Sequence, residues 1–403
     1  MMPKNLEMLI REQQKPIAVS LLGDFIEESR VRPKDFSNMA VHGISNTRGF
    51  VASEDLFATS RASLDQSNYK VVSPNDFAYN PSRINVGSLA LSSNQQDVLV
   101  SPMYIVFRTT EGLLPQYLAH FLRSSKFKSH MLSNIELGAR FRFTFESLAK
   151  TRIQVPPLEV QQEIVRILDA FSDLEAELEA ELEARKKQFG FYLWQMMQFP
   201  DRPEIWCEIK DVAEVRSGWG FPNASQGSAT GEIPFFKVSD MNLPGNKTKM
   251  QVANNYVDAS MAKKLGVKLA PQGTVIFPKI GAAVGTNKKR ILTADSAYDN
   301  NVMGLVPNHR IDPTFLYFWM QTIDLLTLAN DSGAVPSIRK SAMELLRIPA
   351  PPKHEQLEIT AILSKLDELV NDITFGLPAE LSTRRKQYDH YANQLLTFKE
   401  LVA

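Results

Sequence analysis

Pro156-Pro157-Leu158-Glu159-Val160-Gln161-Gln162-Glu163-Ile164-Val165-Arg166-Ile167-Leu168 returns 195 residues later as Pro351-Pro352-Lys353-His354-Glu355-Gln356-Leu357-Glu358-Ile359-Thr360-Ala361-Ile362-Leu363. The copy continues. Arg185-Lys186-Lys187-Gln188-Phe189, Tyr192 and Met196 are echoed by Arg384-Arg385-Lys386-Gln387-Tyr388, Tyr391 and Leu395, now 199 residues on, so about one helical turn has been inserted between the two motifs. A repeat of nearly half of the 403 residues means two large units, not a solenoid.

Ile164, Ile167, Phe171, Leu174, Leu178 and Leu182 fall three or four apart, as do Ile359, Ile362, Leu366, Leu369 and Ile373. That is the spacing of one apolar helix face. The paired prolines set the start, because proline is tolerated only at or before the first turn. A helix from Gln161 to Met197 would be roughly 55 Å long at about 1.5 Å per residue. Two long helices with one apolar seam each are expected to pack as an antiparallel coiled pair. Leu174-Glu175-Ala176-Glu177, Leu178-Glu179-Ala180-Glu181 and Leu182-Glu183-Ala184-Arg185 form a tetrad repeat of strong helix formers, whereas Gly376-Leu377-Pro378 predicts a break in the second helical stretch.

Composition is that of an ordinary soluble protein, with 44% hydrophobic and 22% charged residues. No run of about 18 apolar residues exists to span a membrane, and Met1-Met2-Pro3-Lys4 opens no signal-peptide core. A single cysteine, Cys207, rules out an internal disulfide and fits a reducing cytoplasm. Net charge is zero but uneven. From Arg30 to Arg152 there are 15 Lys/Arg against 9 Asp/Glu, and from Glu208 to Arg347 there are 16 against 12. Two modestly basic globular units joined by acidic helical regions suit selective contact with a polyanion.

The first unit is expected to be mixed α and β, with strands at Val98-Leu99-Val100 and Tyr104-Ile105-Val106-Phe107 and a helix at Pro115-Gln116-Tyr117-Leu118. The second repeats the order loosely. Phe77-Ala78-Tyr79-Asn80-Pro81-Ser82-Arg83 corresponds to Val275-Ile276-Phe277-Pro278-Lys279, each run leading to a glycine (Gly87, Gly281), and Pro313-Thr314-Phe315-Leu316 corresponds to the helix at Pro115. Trp206 to Val212 reads as the opening strand of this unit, equivalent to Val19 to Phe25.

The duplicated Pro-Pro-x-x-x-Gln helix, Arg384-Arg385-Lys386-Gln387-Tyr388-Asp389-His390-Tyr391 and Gly376-Leu377-Pro378-Ala379-Glu380 closely resemble the helical regions of specificity subunits of type I restriction-modification enzymes. The resemblance spans nearly the whole chain. It implies an α+β fold in which two mixed α/β target-recognition domains are separated by a long antiparallel coiled pair, with a pseudo-two-fold internal repeat. The expected division is 1–152 and 200–348 for the recognition domains, 153–199 and 349–403 for the helical regions. It further implies a non-catalytic subunit that binds double-stranded DNA and two methyltransferase subunits, which restriction subunits can join. The tetrad repeat resembles the variable-copy tract that adjusts the unread gap in some members.

Candidate DNA contacts are Arg83, Asn85, Arg140 and Arg142 in the first domain, and Lys279, Lys288, Lys289, Arg290, Ser337, Arg339 and Lys340 in the second. Arginine can grip guanine bidentately, asparagine can do so with adenine, and lysine more often meets phosphate. For the subunit interface, Phe189, Tyr192, Tyr388 and Tyr391 and the charges Arg384 and Arg385 stand out. No catalytic, metal or cofactor site is expected. Asp201 with Glu208-Ile209-Lys210 is a weak match to a nuclease cluster, Asn80-Pro81-Ser82-Arg83 is not a methyltransferase motif, and the six histidines lack ligand spacing. A helical adaptor that joins proteins without reading DNA is the alternative. Two elaborate, divergent domains argue against it, since a bare spacer does not need them.

Overall fold

Runs such as Phe77-Ala78-Tyr79 and Val98-Leu99-Val100 are short, apolar and bounded by turn residues, and they form strands buried on both faces. The computed structural model describes residues 15–34, 39–46, 48–56, 66–133, 142–329, 335–372 and 374–401. Two units follow, one of Met1–Ala176 with Thr383–Ala403 and one of Glu177–Ser382.

In the first unit, β1 (Val19–Leu21) pairs antiparallel with β10 (Arg152–Gln154). One sheet has the order β2-β9-β6-β7, from Ile26–Ser29, Ile105–Thr109, Phe77–Tyr79 and Leu89–Leu91, all antiparallel. The other has the order β4-β3-β8-β5, from Gly49–Ala52, Val41–Ser45, Val98–Val100 and Lys70–Val72, with β3 and β8 parallel. Helices α1 (Pro115–Arg123), α2 (Ser125–Ser133) and α3 (Phe145–Ala149) complete it. Then comes α4, Leu158–Met196, an unbroken helix of 39 residues.

The second unit repeats the core of this topology with one strand more in its larger sheet and one fewer in its smaller. β11 (Trp206–Glu208) pairs antiparallel with β20 (Arg347–Pro349). Its larger sheet runs β12-β19-β16-β17-β14, from Ala213–Ser217, Val302–Pro307, Val275–Pro278, Arg290–Leu292 and Lys249–Met250. Its smaller sheet runs β15-β13-β18, from Tyr256–Val257, Ile233–Phe236 and Ala297–Tyr298, with β13 and β18 parallel as β3 and β8 are. Helix α5 (Pro313–Gln321) occupies the place of α1, and α6 (Lys340–Glu344) precedes β20 as α3 precedes β10. The strand expected over Trp206 to Val212 stops at Glu208, where a one-turn helix takes over.

The helical regions are part of these cores. Val160, Ile164 and Leu168 of α4 lie in the first core with Tyr388, Ala392 and Leu395 of α8 (Leu377–Leu395). Leu193 of α4 and Leu363 of α7 (Lys353–Asn371) lie in the second. Within the first unit Phe171 stacks on Tyr391 with ring centroids 5.1 Å apart, and Arg385 donates to Glu175 over 2.7 Å, so rising α4 numbers meet falling α8 numbers. Within the second, Leu182, Val370 and Leu377 form a small apolar cluster backed by Leu178 and Leu369. The seam differs from the expected one at two places: Leu174 is 44% and Ile362 47% exposed, each one step off the buried face. Ile373 lies outside the described residues.

The break between α7 and α8 falls at the expected glycine and proline. Gly376 is required by close approach, since a Cβ there would lie 2.5 Å from the Glu368 carbonyl oxygen.

The terminal glutamine of each Pro-Pro-x-x-x-Gln motif has a job that the apolar pattern does not suggest. Gln161 is fully buried. Its Nε2 donates to the Pro156 carbonyl at 2.7 Å and to Gly112 at 2.8 Å, while Oε1 accepts from the Leu114 amide at 2.9 Å. Gln356 does the same with Pro351 (2.7 Å), Arg310 (3.0 Å) and the Asp312 amide (2.7 Å). Each amide thus fastens the start of a long helix to the turn that launches α1 or α5. The Pro156 and Pro351 carbonyls it meets would otherwise be buried without this partner, and the other groups part-buried.

Candidate nucleic-acid interface

In the first unit, β6 is wholly buried and delivers the chain into a surface loop over 80–88. Asn80 shapes the entry by accepting from the Ser82 amide at 3.0 Å, and Gly87 closes the loop with φ +92°, a left-handed conformation that favours glycine. Arg83 and Asn85 stand exposed on it. The loop is held from outside by the Phe143 amide, which donates to the Pro81 carbonyl at 2.9 Å, and this brings exposed Arg142 alongside Arg83. Arg140 lies outside the described residues. A cavity of about 540 Å³ opens beside the loop, lined by His42, Asn46, Tyr69, Arg83, Ser101 and Tyr104 among others.

The second unit repeats the construction after β16. The Ile338 amide donates to the Lys279 carbonyl at 2.8 Å and the Gly281 amide to Pro336 at 2.8 Å, so Lys279, Ser337 and Arg339 come together as Arg83 and Arg142 do. Lys279 is half-buried, and burial holds its ammonium below the usual lysine range, with the Asp299 carboxylate opposing that shift. Ser337 is half-buried and Arg339 exposed, while Lys340 pairs with Glu344 one turn on at 3.5 Å.

The run Lys288-Lys289-Arg290 departs from expectation. Lys289 is 1% exposed, and its Nζ donates to Asn287 Oδ1 at 2.7 Å and to the Ile323 carbonyl at 2.5 Å. Burial pushes it down to about 8. The Arg290 guanidinium is spent on the backbone carbonyls of Asn246, Lys289 and Met241, and Lys288 on the Asn242 side chain. Left-handed Asn287, φ +53°, turns the chain so that these cations brace the fold. Lys289 and Arg290 are therefore not surface contacts.

These two loops, built alike and decorated differently, sit inside the two segments that a known family accounts for. The type I restriction modification DNA specificity domain matches residues 41–184 and again 204–383. The chain belongs to this family. A specificity subunit of an Escherichia coli type I restriction enzyme is 30% identical over 247 residues, 60% of this chain and 60% of that subunit's length. A Haemophilus influenzae protein named as a type I specificity subunit is 28% identical over 303 residues, 72% of this chain and 73% of its own. The crystal structure of a type I S subunit from M. genitalium shares the fold, with a TM-score of 0.55 at 11% identity over 94% of this chain and 96% of that one.

Specificity-subunit helices present few of the expected interface residues to solvent. Tyr388 is buried, and its hydroxyl donates to His120 Nδ1 at 2.8 Å beneath the Arg123 guanidinium, 4.6 Å from the ring centroid. It packs the core of the first unit and is not a surface for a partner. Phe189 holds the equivalent place in the second unit, edge-on to Phe318 at 6.3 Å, and is half-buried. Arg385 is exposed but paired with Glu175, Arg384 bonds Gln387, and Tyr391 keeps 41% of its surface. Tyr192 is half-buried against Phe191. The periodicity that singled out Phe189 and Tyr192 missed their neighbours Phe191 and Trp194, which are 59% and 62% exposed on the opposite side of α4. Their own three-residue spacing was the signal.

The His120 contacts carry a pH dependence. Nε2 faces Asp169 Oδ1 at 2.9 Å, and a carboxylate can only accept, so the neutral ring donates there and accepts from Tyr388 at Nδ1. Burial lowers the imidazole below its ordinary 6.5 despite Asp169. A depressed folded-state value means that the unfolded chain protonates first, so stability is intact above about 6.5 and falls as pH drops below it. In the second unit His120 and Tyr388 are replaced by Phe318 and Phe189. The double substitution His120→Phe, Tyr388→Phe is expected to flatten the acid-side loss of melting temperature between pH 7 and roughly pH 5. Thermal melts across that range check it, and an unchanged slope would refute the assignment.

Proposed function

We propose that this chain is the non-catalytic DNA-reading subunit of a type I restriction-modification complex. The recognition domains are 1–152 and 200–348, and the helical regions are 153–199 and 349–403. Each domain reads one half of a bipartite duplex target, the helical regions set the length of the unread gap, and two methyltransferase subunits dock on them. That assembly methylates adenine, works in the cytoplasm and can be joined by restriction subunits. Arg83, Asn85 and Arg142 in the first head, and Lys279, Ser337 and Arg339 in the second, meet the duplex. Lys288 and Lys340 meet phosphate. Phe189 and Tyr192 in the second unit, Arg384, Arg385 and Tyr391 in the first, and the exposed Phe191 and Trp194 on the opposite side of α4 are the residues that meet the methyltransferases.

The observation that supports this reading best is the pair of loops after β6 and β16. The same strand order and the same amide-to-carbonyl tether hold both, at Phe143 to Pro81 and at Ile338 to Lys279, yet their exposed side chains differ. Conserved scaffolding under divergent polar tips is what two readers of different sequences require. Among the described residues no group of His, Cys, Asp or Glu could hold a metal ion, and no helix is long and apolar enough to cross a membrane.

Single-molecule methylome sequencing of cells carrying this chain with its methyltransferase partner is the test. The expected product is a gapped motif of two short specified elements, methylated only when the chain is present. A continuous motif, or a methylome indifferent to the chain, would leave it a helical adaptor.

A further inference from the structure

The two tethered loops differ in surface chemistry. The first shows Arg83 and Asn85 beside Val86, which is 53% exposed. The second, Lys279-Ile280-Gly281-Ala282-Ala283, shows Ile280 at 38% exposure and exposed Ala282, and the run that tethers it opens with Val335 at 52%. These apolar side chains are neighbours by construction. Ile280 and Ser337 form a β-bridge, the Gly281 amide bonds Pro336, and a Cβ at Gly281 would lie 4.0 Å from Val335 Cγ1. Gly281 adopts φ +82°, the left-handed turn that folds the loop back toward Val335.

A single exposed isoleucine or valine needs no explanation. A pair held together by the backbone between Lys279 and Arg339 does. Lys279 and Arg339 flank the patch, so its surroundings suit a polyanion. In the major groove of a duplex, one base-edge group is apolar: the 5-methyl of thymine.

We infer that Ile280 and Val335 form a thymine-methyl contact, so that the half-site read by the second unit contains a T·A pair recognised through its methyl group. The first unit, by contrast, reads through hydrogen bonds from Arg83 and Asn85. The inference rests on the DNA-reading function proposed above.

The test uses the full chain assembled with its methyltransferase subunits and duplexes carrying the methylome-derived motif. Each thymidine in turn is replaced by 2′-deoxyuridine, which keeps base pairing and removes only the methyl. One replacement, in one half-site, is expected to weaken binding about tenfold. In a complex bearing Ile280→Ala and Val335→Ala, the thymidine and deoxyuridine duplexes should bind equally. Ile280→Asn with Val335→Asn, which keep bulk but carry no methyl, gives the same loss of discrimination with the fold kept. Deoxyuridine tolerated at every position, or a penalty that persists in both variants, overturns the inference. So does loss of methyltransferase assembly in both variants, which would make the patch a protein interface. Failure of the underlying function looks different: wild-type complex would bind the motif and a scrambled duplex alike.

Discussion

A chain lacking residues 178–181 is expected to direct methylation to the same two half-sites with the unread gap shortened by one or two base pairs. The deleted tetrad is one of three in an uninterrupted helix, and removing it brings Leu182 into the position of Leu178, so the leucine spacing that packs on Val370 and Leu377 is restored. The opposing helical region is interrupted nearby, between Asn371 and Leu377, where a change in length can be taken up without breaking a helix. Four residues shorten an α-helix by about 6 Å and turn it by about 40°. One base pair is worth about 3.4 Å and roughly 35° in the same sense. Translation and rotation are therefore both met within one or two base pairs. Methylome sequencing of cells expressing the deletion reads the gap directly. Altered half-site bases with the original gap would show that the tetrads belong to reading and not to spacing.

Much of this architecture was legible because it rests on local rules. The repeated proline pair and glutamine marked the helix starts, and Gly376 with Pro378 marked the break, since each depends on backbone sterics within a few residues. The tethering of Arg142 to the Arg83 loop and of Ser337 to Lys279 was not legible, since it rests on backbone bonds between residues about 60 positions apart. What failed depended on distant partners. Lys289 is withdrawn from solvent because the carbonyl of Ile323, 34 residues away, accepts from its ammonium. Tyr388 shares its three-residue spacing with exposed Tyr391, but only His120, 268 positions earlier, decides that it is buried. Leu174 and Ile362 fit a heptad-like count yet face outward, because each helix is gripped by its recognition domain on a face that the helix sequence alone does not define. Ile280 carried no charge and so drew no attention, although its position in the repeat matches that of the first unit's polar loop.

Replacing Gln161 or Gln356 by leucine is expected to cost about 3 kcal/mol, since three backbone groups, one buried and two part-buried, lose their partners at once and each is worth about 1 kcal/mol or more unpaired. In units of this size that corresponds to a fall of roughly 6–12 °C in melting temperature. The effect should be confined to the unit concerned: Gln161→Leu exposes the Pro156, Gly112 and Leu114 groups, Gln356→Leu those at Pro351, Arg310 and Asp312. Limited proteolysis with site mapping, alongside calorimetry, separates the two. Glutamate makes the sharper comparison. It is isosteric, but two of the three bonds at each site are donated by the amide nitrogen to carbonyl oxygens, and an ionised carboxylate has nothing to donate. Gln161→Glu should therefore be at least as damaging as Gln161→Leu near neutral pH, and should recover part of the loss on acidification, when the protonated acid can serve one carbonyl. A glutamate variant that melts like the parent at neutral pH would mean that the helix starts are held by their prolines and apolar contacts, with the glutamine amides as bystanders.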